Sequence, residues 1–369
     1  MATVQNGHTS TERPKRIMAL DVMRGLTIVC MIIVNNSGGP ESYAQLRHSE
    51  WNGLTLCDLV FPFFLFIMGM TTYLSMAGRG FSAGWPVIRK ILKRTLVILL
   101  ICWALHWFDN VIDGRGWLDF GHLRLTGVLT RIALCYCAVS FMALLLPLRG
   151  MALAAVLLVA LYGALLLCGN GFENSLSNIN NIIDRALLTP EHLYTRRPVD
   201  PEGLLGTIPA IAHTIVGFCC GALIRSRQAL ADRLLRLMVC GALLMAAGWA
   251  LGGVFPVNKR VWSPSYLMIT CGMAATLLAT LSYFIDMRGL RRPFTVFEAV
   301  GVNPLFLYVL AEAFGPVASA TGLRHAAYEA ILQAVPNPCA ASAVYSVALA
   351  LITIAIAIPL YRRRIYIKI

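Results

Sequence analysis

The sequence predicts an all-α polytopic integral membrane protein of about ten transmembrane helices, ten or eleven, with both termini cytoplasmic. Three observations carry this. Of 369 residues, 58% are hydrophobic and only 13% charged, against about 25% charged in a soluble domain. The apolar residues fall into repeated runs of about 20, the length that crosses a bilayer core. Lys and Arg gather at the ends of those runs on alternating sides, as the positive-inside rule requires.

The spans follow in order. Ala19–Asn36 opens on Asp21-Val-Met-Arg24-Gly25 and ends in Asn35-Asn36-Ser-Gly-Gly39, amides and glycines suited to a helix C-terminus and turn. Leu54–Met76 follows the polar run from His48 to Asp58, and Val87–Phe108 carries Arg89, Lys90, Lys93 and Arg94 near its start. Leu125–Leu146 and Met151–Cys168 are joined by a short link holding Arg149. Thr207–Ile224 is reached through Asp200-Pro-Glu202-Gly, where Pro201 and Gly203 make a turn. Leu234–Gly252 follows a basic link, and Ser265–Ile285 follows Pro264. Phe294–Phe314 is broken at Gly301-Val-Asn303-Pro304, and Ala343–Tyr361 runs into Arg362, Arg363 and Arg364. Ala326–Val335 is too short to span and lies on or re-enters the membrane.

With the N-terminus inside, cytoplasmic segments hold twenty Lys and Arg and the opposite segments nine. Residues 1–15 read as a disordered cytoplasmic tail without a cleavable signal peptide, and 16–369 as a single transmembrane domain. The loops Ser37–Gly53, Gly169–Gly206 and Gly253–Pro264 then face the non-cytoplasmic side, where the special-purpose polar residues concentrate.

A formal charge of +13 raises nucleic acid as a partner, but the basic residues sit at helix ends and form no basic face with interleaved aromatics, so that class is excluded. Most of the eleven cysteines lie in apolar runs and behave as small apolar residues. No paired CxxC pattern appears, so no metal site is expected; Cys168 and Cys339, nearer loops, are left as a possible pair.

Six constellations can carry chemistry. Asp21 and Arg24 share a helix face, as an ion pair or with Arg24 turned to a phosphate or carboxylate. Asn35 is either a cap or a side-chain donor near His48, since one short loop joins them. His48 is the side chain whose charge changes near neutral pH, and Asp58, once buried, needs a partner. A carboxylate on one imidazole nitrogen would leave the other free as a base; the rival is a pair of Asp58 with Arg131 or Arg124. Trp51 is an interface-type aromatic beside this run, with Asn52 next to it. Asp200 and Glu202 either contact sugar hydroxyls or an amine, or cap the next helix. Lys259, Arg260 and Trp262 suit an anion or sugar contact, or interfacial anchoring. Asn303 sits at a kink that serves structure and function equally well.

These motifs resemble the heparan-α-glucosaminide N-acetyltransferase family. The resemblance rests on Asp21-Val-Met-Arg24-Gly-Leu, Val34-Asn35, His48-Ser-Glu-Trp-Asn-Gly-Leu-Thr55, Asp58-Leu-Val-Phe-Pro62, Gly127-Val-Leu-Thr-Arg-Ile-Ala-Leu-Cys-Tyr136, Asp200-Pro-Glu-Gly-Leu-Leu205, Asn258-Lys-Arg-Val-Trp-Ser-Pro264 and Gly301-Val-Asn-Pro-Leu305, in order along the chain. It implies acetyl transfer from cytoplasmic acetyl-CoA, without a metal, to an amino sugar on the far side of the membrane. His48 corresponds to the family's active histidine, Asn35 to its neighbouring asparagine and Asp58 to its acid. A histidine base would take the proton that a sugar ammonium must lose, or would itself carry the acetyl group, with Asn35 donating to the oxyanion. Expected acceptor contacts are Trp51, Asn52, Asp200, Glu202, Lys259, Arg260, Trp262 and Asn303; expected CoA contacts are Arg24, Lys93 and Arg94. The short polar tail, where lysosomal members have a luminal domain, points to a bacterial-type relative in an inner membrane. An amino-sugar (N-acetylglucosamine) permease is the alternative reading, and a homodimer is left open.

Overall fold

The protein is described by a computed structural model covering residues 17–194 and 197–367; the tail expected over 1–15 lies outside the described residues. It is built of helices: α1 (Met18–Asn35), α2 (Leu56–Ala77), α3 (Trp85–Ile112), α4 (Val128–Leu145), α5 (Leu148–Cys168), α6 (Ile179–Leu188), α7 (Thr207–Ile224), α8 (Leu230–Leu251), α9 (Pro264–Ser282), α10 (Thr295–Val302), α11 (Pro304–Ala320), α12 (Leu323–Ala334) and α13 (Pro338–Arg362). Among the described residues nine helices are long and apolar enough to cross a membrane, or ten if α10 and α11 form one broken span. That agrees with about ten.

Chemistry at the helix ends explains where they begin. Thr55 and Asp58 form a reciprocal capping box at the start of α2. Ser263 accepts from Tyr266 N at 3.3 Å ahead of Pro264, the first residue of α9. Asn337 does the same for α13, accepting from Ala340 N at 3.0 Å. The span expected at Phe294–Phe314 is a pair bent by 74°. Pro304 has no N–H to continue the helix, and Asn303 leaves helical geometry, with φ −123° and ψ 49°. The Asn303 side chain clamps the C-terminal segment: it donates to Ile365 O at 2.9 Å and accepts from Ile367 N at 2.8 Å.

The most extensive helix contacts are α8 with α9, α2 with α7 and α1 with α10. Each is seated on glycine. A Cβ on Gly301 would lie 1.9 Å from Asp21 O, and one on Gly25 1.8 Å from Phe297 O. At the α2–α7 contact, a Cβ on Gly69 would lie 2.0 Å from Thr214 O and one on Gly217 2.2 Å from Phe66 O. Lipid gives no hydrophobic drive between helices, so small residues that let backbones touch supply the packing. α3, α5, α8 and α13 keep most of their apolar windows unburied, as lipid-facing helices do. All eleven cysteines are free, so the Cys168–Cys339 pair is not formed.

Candidate active site

His48 lies in the loop between α1 and α2, with 48% of its side chain exposed. Its Nδ1 is 2.8 Å from Asp58 Oδ1. Asp58 is fully buried in the first turn of α2. Its Oδ2 accepts from Ser49 N (3.2 Å), Thr55 N (3.1 Å) and Thr55 Oγ1 (2.9 Å). A carboxylate filled with acceptor contacts assigns the His48 Nδ1–H tautomer and leaves the lone pair on Nε2. The rival pairing is not adopted. Arg124 Nη2 donates to Asp200 at 3.0 Å and Glu202 at 2.9 Å, while Arg131 Nη2 donates to Gly203 O at 2.9 Å.

Lys259 completes the group. Its Nζ is 3.3 Å from His48 Nε2, 3.0 Å from Nδ1 and 3.7 Å from Asp58 Oδ1. Because Nδ1 already donates to Asp58, the ring acceptor open to the ammonium is Nε2. A tight turn presents Lys259: Asn258 Oδ1 accepts from Arg260 N at 2.8 Å and Val261 N at 3.2 Å. The same turn sets Trp262 at φ 50°, a left-handed conformation rare for a bulky residue. Cys57, which sequence reading passed over, lies 3.1 Å from His48 Nδ1 through its sulfur.

The other expected acceptor contacts divide. Glu202 lines a cavity, described below. Asp200 is buried and committed: it accepts from Arg124, from Thr126 Oγ1 at 2.5 Å and from Tyr194 N at 2.9 Å. Burial opposes its ionisation, but Arg124 and these donors outweigh that and hold its carboxyl below the ordinary range. Trp51 Nε1 donates to Phe172 O at 2.7 Å, and Asn52 Oδ1 accepts from Asn258 Nδ2 at 3.0 Å. Arg260 donates to Ser49 O at 3.2 Å and bounds the loop that carries His48. Trp262 and Asn303, 0% and 1% exposed, present no surface to a sugar. Trp262 instead packs edge-on against Phe61 and Tyr266, with the Arg131 guanidinium 5.3 Å from its ring centre.

Asn35 has a different partner from the one expected. Its Nδ2 donates to Glu312 Oε1 at 2.8 Å, and it lines a cavity of about 1000 Å³ with Asp109, His106, Glu202 and Glu312. Asn35 ends α1 and His48 lies thirteen residues on, so chain proximity alone did not fix which way the amide turns. A second cavity, about 440 Å³, is lined by Arg24, Arg79, Lys90 and Arg94. Arg24 Nη1 also reaches Asp21 Oδ1 at 2.9 Å and Gly301 O at 3.1 Å, so the ion-pair reading and the cavity reading both hold. Lys93, one residue from Arg94 on α3, is exposed and does not line this cavity.

The basic cavity uses the first part of α3, from Val87 to Ile98; the wide one uses the last part, from Cys102 onward. They are therefore stacked along the bundle. Val128, Leu129 and Tyr308 line both. His48, in the loop that follows the Asn35 end of α1, lines neither. The ionisable groups Asp109 and Glu312 were missed by motif reading. Their signal was present: Glu312 interrupts the apolar run Phe294–Phe314 and Asp109 directly follows Val87–Phe108, and an acid at membrane depth marks a functional candidate.

Comparison with known proteins agrees with these motifs. Residues 16–233 match the model of the heparan-alpha-glucosaminide N-acetyltransferase catalytic family. The chain is 30% identical to heparan-alpha-glucosaminide N-acetyltransferase of Homo sapiens, over 82% of this chain and 53% of the relative. It is 28% identical to that of Mus musculus, over 82% and 54%. The chain thus spans about half the length of the curated relatives it matches. On the family match across more than half its residues, the chain belongs to the heparan-alpha-glucosaminide N-acetyltransferase catalytic family.

Proposed function

We propose that the protein is a transmembrane N-acetyltransferase that moves an acetyl group from cytoplasmic acetyl-CoA to the amine of a glucosamine-type sugar on the opposite side. The observation that carries this is the pair of stacked cavities sharing Val128, Leu129 and Tyr308. One is basic, as the phosphates of CoA require; the other is wide and polar, as a sugar requires. The family membership supports the reaction class. The excess of Lys and Arg supports a cytoplasmic basic cavity and cytoplasmic termini. A bacterial inner membrane is the setting that this reading favours.

In this reading the His48–Asp58 pair supplies the base. A sugar amine must be neutral to attack a thioester, and Nε2 takes its proton. For this, Lys259, 3.3 Å from Nε2, must turn from that nitrogen to the developing oxyanion, which frees the lone pair and stabilises the new charge. An acceptor must then reach from the wide cavity to the loop holding His48. Acetyl carriage by Nε2 is the two-step variant of the same reading.

The test uses purified protein in liposomes, with labelled acetyl-CoA and glucosamine. Transfer is expected, and His48→Ala should abolish it; full activity in that variant removes His48 from the mechanism, and a trapped acetyl-histidine selects the two-step route. The 74° break between α10 and α11 favours a second reading, an amino-sugar permease. Counterflow of N-acetylglucosamine without acetyl-CoA would support it, and none would count against it.

A further inference from the structure

Glu312 and Tyr308 are four residues apart on α11, so they share one face, about one turn or ~6 Å apart along the axis. Tyr308 lines both cavities, and Glu312 lines only the wide one. The carboxylate therefore stands one turn from the neck where donor and acceptor spaces meet. Its hydrogen-bond partner is a neutral donor, Asn35 Nδ2 at 2.8 Å. Across the cavity, Asp109 on α3 is close enough for the two charges to interact. Among the described residues, neither carboxylate has a Lys or Arg within ion-pair distance. Asp200 and Glu202 differ, since both pair with Arg124.

We propose that Glu312, braced by Asn35 and helped by Asp109, is the position that holds the acceptor as its ammonium and selects an amine over a hydroxyl. The inference rests on the reading of the protein as an amino-sugar acetyltransferase and names the selectivity of that site. Among the described residues neither carboxylate has a Lys or Arg at ion-pair distance in this polar cavity, and a sugar ammonium supplies that charge. An ammonium adds the attraction of a full opposite charge to its hydrogen bond with the carboxylate, which a neutral hydroxyl lacks, so a hydroxyl in the same place is held less well. Asn35 fixes one oxygen of Glu312, which leaves the other to the ligand. Glu312 is then the group that makes the cationic form the one that binds.

The experiment uses the full chain reconstituted in liposomes, with glucosamine and glucose as probes. Wild-type protein should bind glucosamine about 10-fold or more tighter than glucose. Glu312→Gln should erase that preference and raise KM for glucosamine about 10–100-fold, with KM for acetyl-CoA within about twofold. Glu312→Asp, which keeps the charge, should recover part of the loss. Equal binding of the two sugars by wild-type protein, or an unchanged glucosamine KM in Glu312→Gln, overturns the proposal. Should that variant not fold, carbodiimide labelling of wild-type Glu312, read by mass spectrometry, decides: protection by glucosamine but not glucose supports the site, and no protection overturns it. Selective binding without acetyl transfer would sink the reaction class and leave this site standing. Transfer without selectivity would do the reverse.

Discussion

Replacing Asp58 with Asn tests whether the His48 pair is a base or only a fold contact. The wild-type carboxylate accepts four hydrogen bonds: from His48 Nδ1 on Oδ1, and from Ser49 N, Thr55 N and Thr55 Oγ1 on Oδ2. Asn has one acceptor end and one donor end. Turning its oxygen to the cap keeps three contacts and points the amide NH2 at His48. The opposite orientation faces NH2 against two backbone N–H groups, which costs about 1–3 kcal/mol per unsatisfied donor. The first orientation therefore wins. It donates to Nδ1, moves the imidazole proton to Nε2 and removes the lone pair that the proposed base requires.

Acetyl transfer should fall by about 10²–10⁴-fold, the usual contribution of a positioned base. The folded state should lose only about 1.5–3 kcal/mol, the worth of one charge-assisted bond. The assay pairs the initial rate of glucosamine acetylation with thermal unfolding in detergent, so that lost activity is separated from lost fold. A well-folded Asp58→Asn protein with wild-type rate would refute the tautomer argument and with it His48 as the base. Inactivity caused by unfolding alone would refute the energetic half.

The α1–α10 crossing gives a packing test: Gly301→Ala puts a Cβ 1.9 Å from Asp21 O and should destabilise by about 2–3 kcal/mol, whereas Gly253→Ala, with nothing within 4 Å, should leave the melting temperature unchanged. Lys259→Met should lower the transfer rate about 10²–10³-fold with KM for acetyl-CoA unchanged, as loss of an oxyanion partner does; a rise in that KM alone would contradict the assignment. Burial raises the Asp184 carboxyl to about 6, and the neighbouring Asp200 adds to it. The folded value lies above the unfolded one, so this group's stabilisation is full below pH 4 and is lost as pH rises through about 6. Each tenfold change in proton affinity between the folded and unfolded carboxyl is worth about 1.4 kcal/mol, so the loss is on the order of 2–3 kcal/mol. Asp184→Asn should flatten that slope in melting curves between pH 4 and 8.

The resemblance in motifs reached the histidine, its acid and the basic turn, because those residues lie in short runs whose chemistry is local. Asp58 was legible as a partner for His48 because a buried carboxylate ten residues from an imidazole needs one. Lys259 was legible only as an unusual cation on the side expected to be outside. Its contact with His48 spans 211 residues and depends on α9 starting where Ser263 caps it. Asn35 shows the limit most clearly. Its sequence distance to His48 favoured one partner, and the helix end turned its amide to Glu312, which is 277 residues away.

What the sequence determined by itself was the class of molecule: helix number, the membrane and the reaction family all follow from hydropathy, charge placement and local motifs, which are properties of contiguous residues. What only the tertiary structure decided was the wiring. Which acids pair with Arg124, which line a cavity, and which cation meets His48 depend on how α1, α3, α9 and α11 pack, and that packing is set by close glycine crossings and a Pro304 break. A side chain's partner is chosen by what lies within about 3–4 Å in space, and helices brought together from opposite ends of the chain supply it.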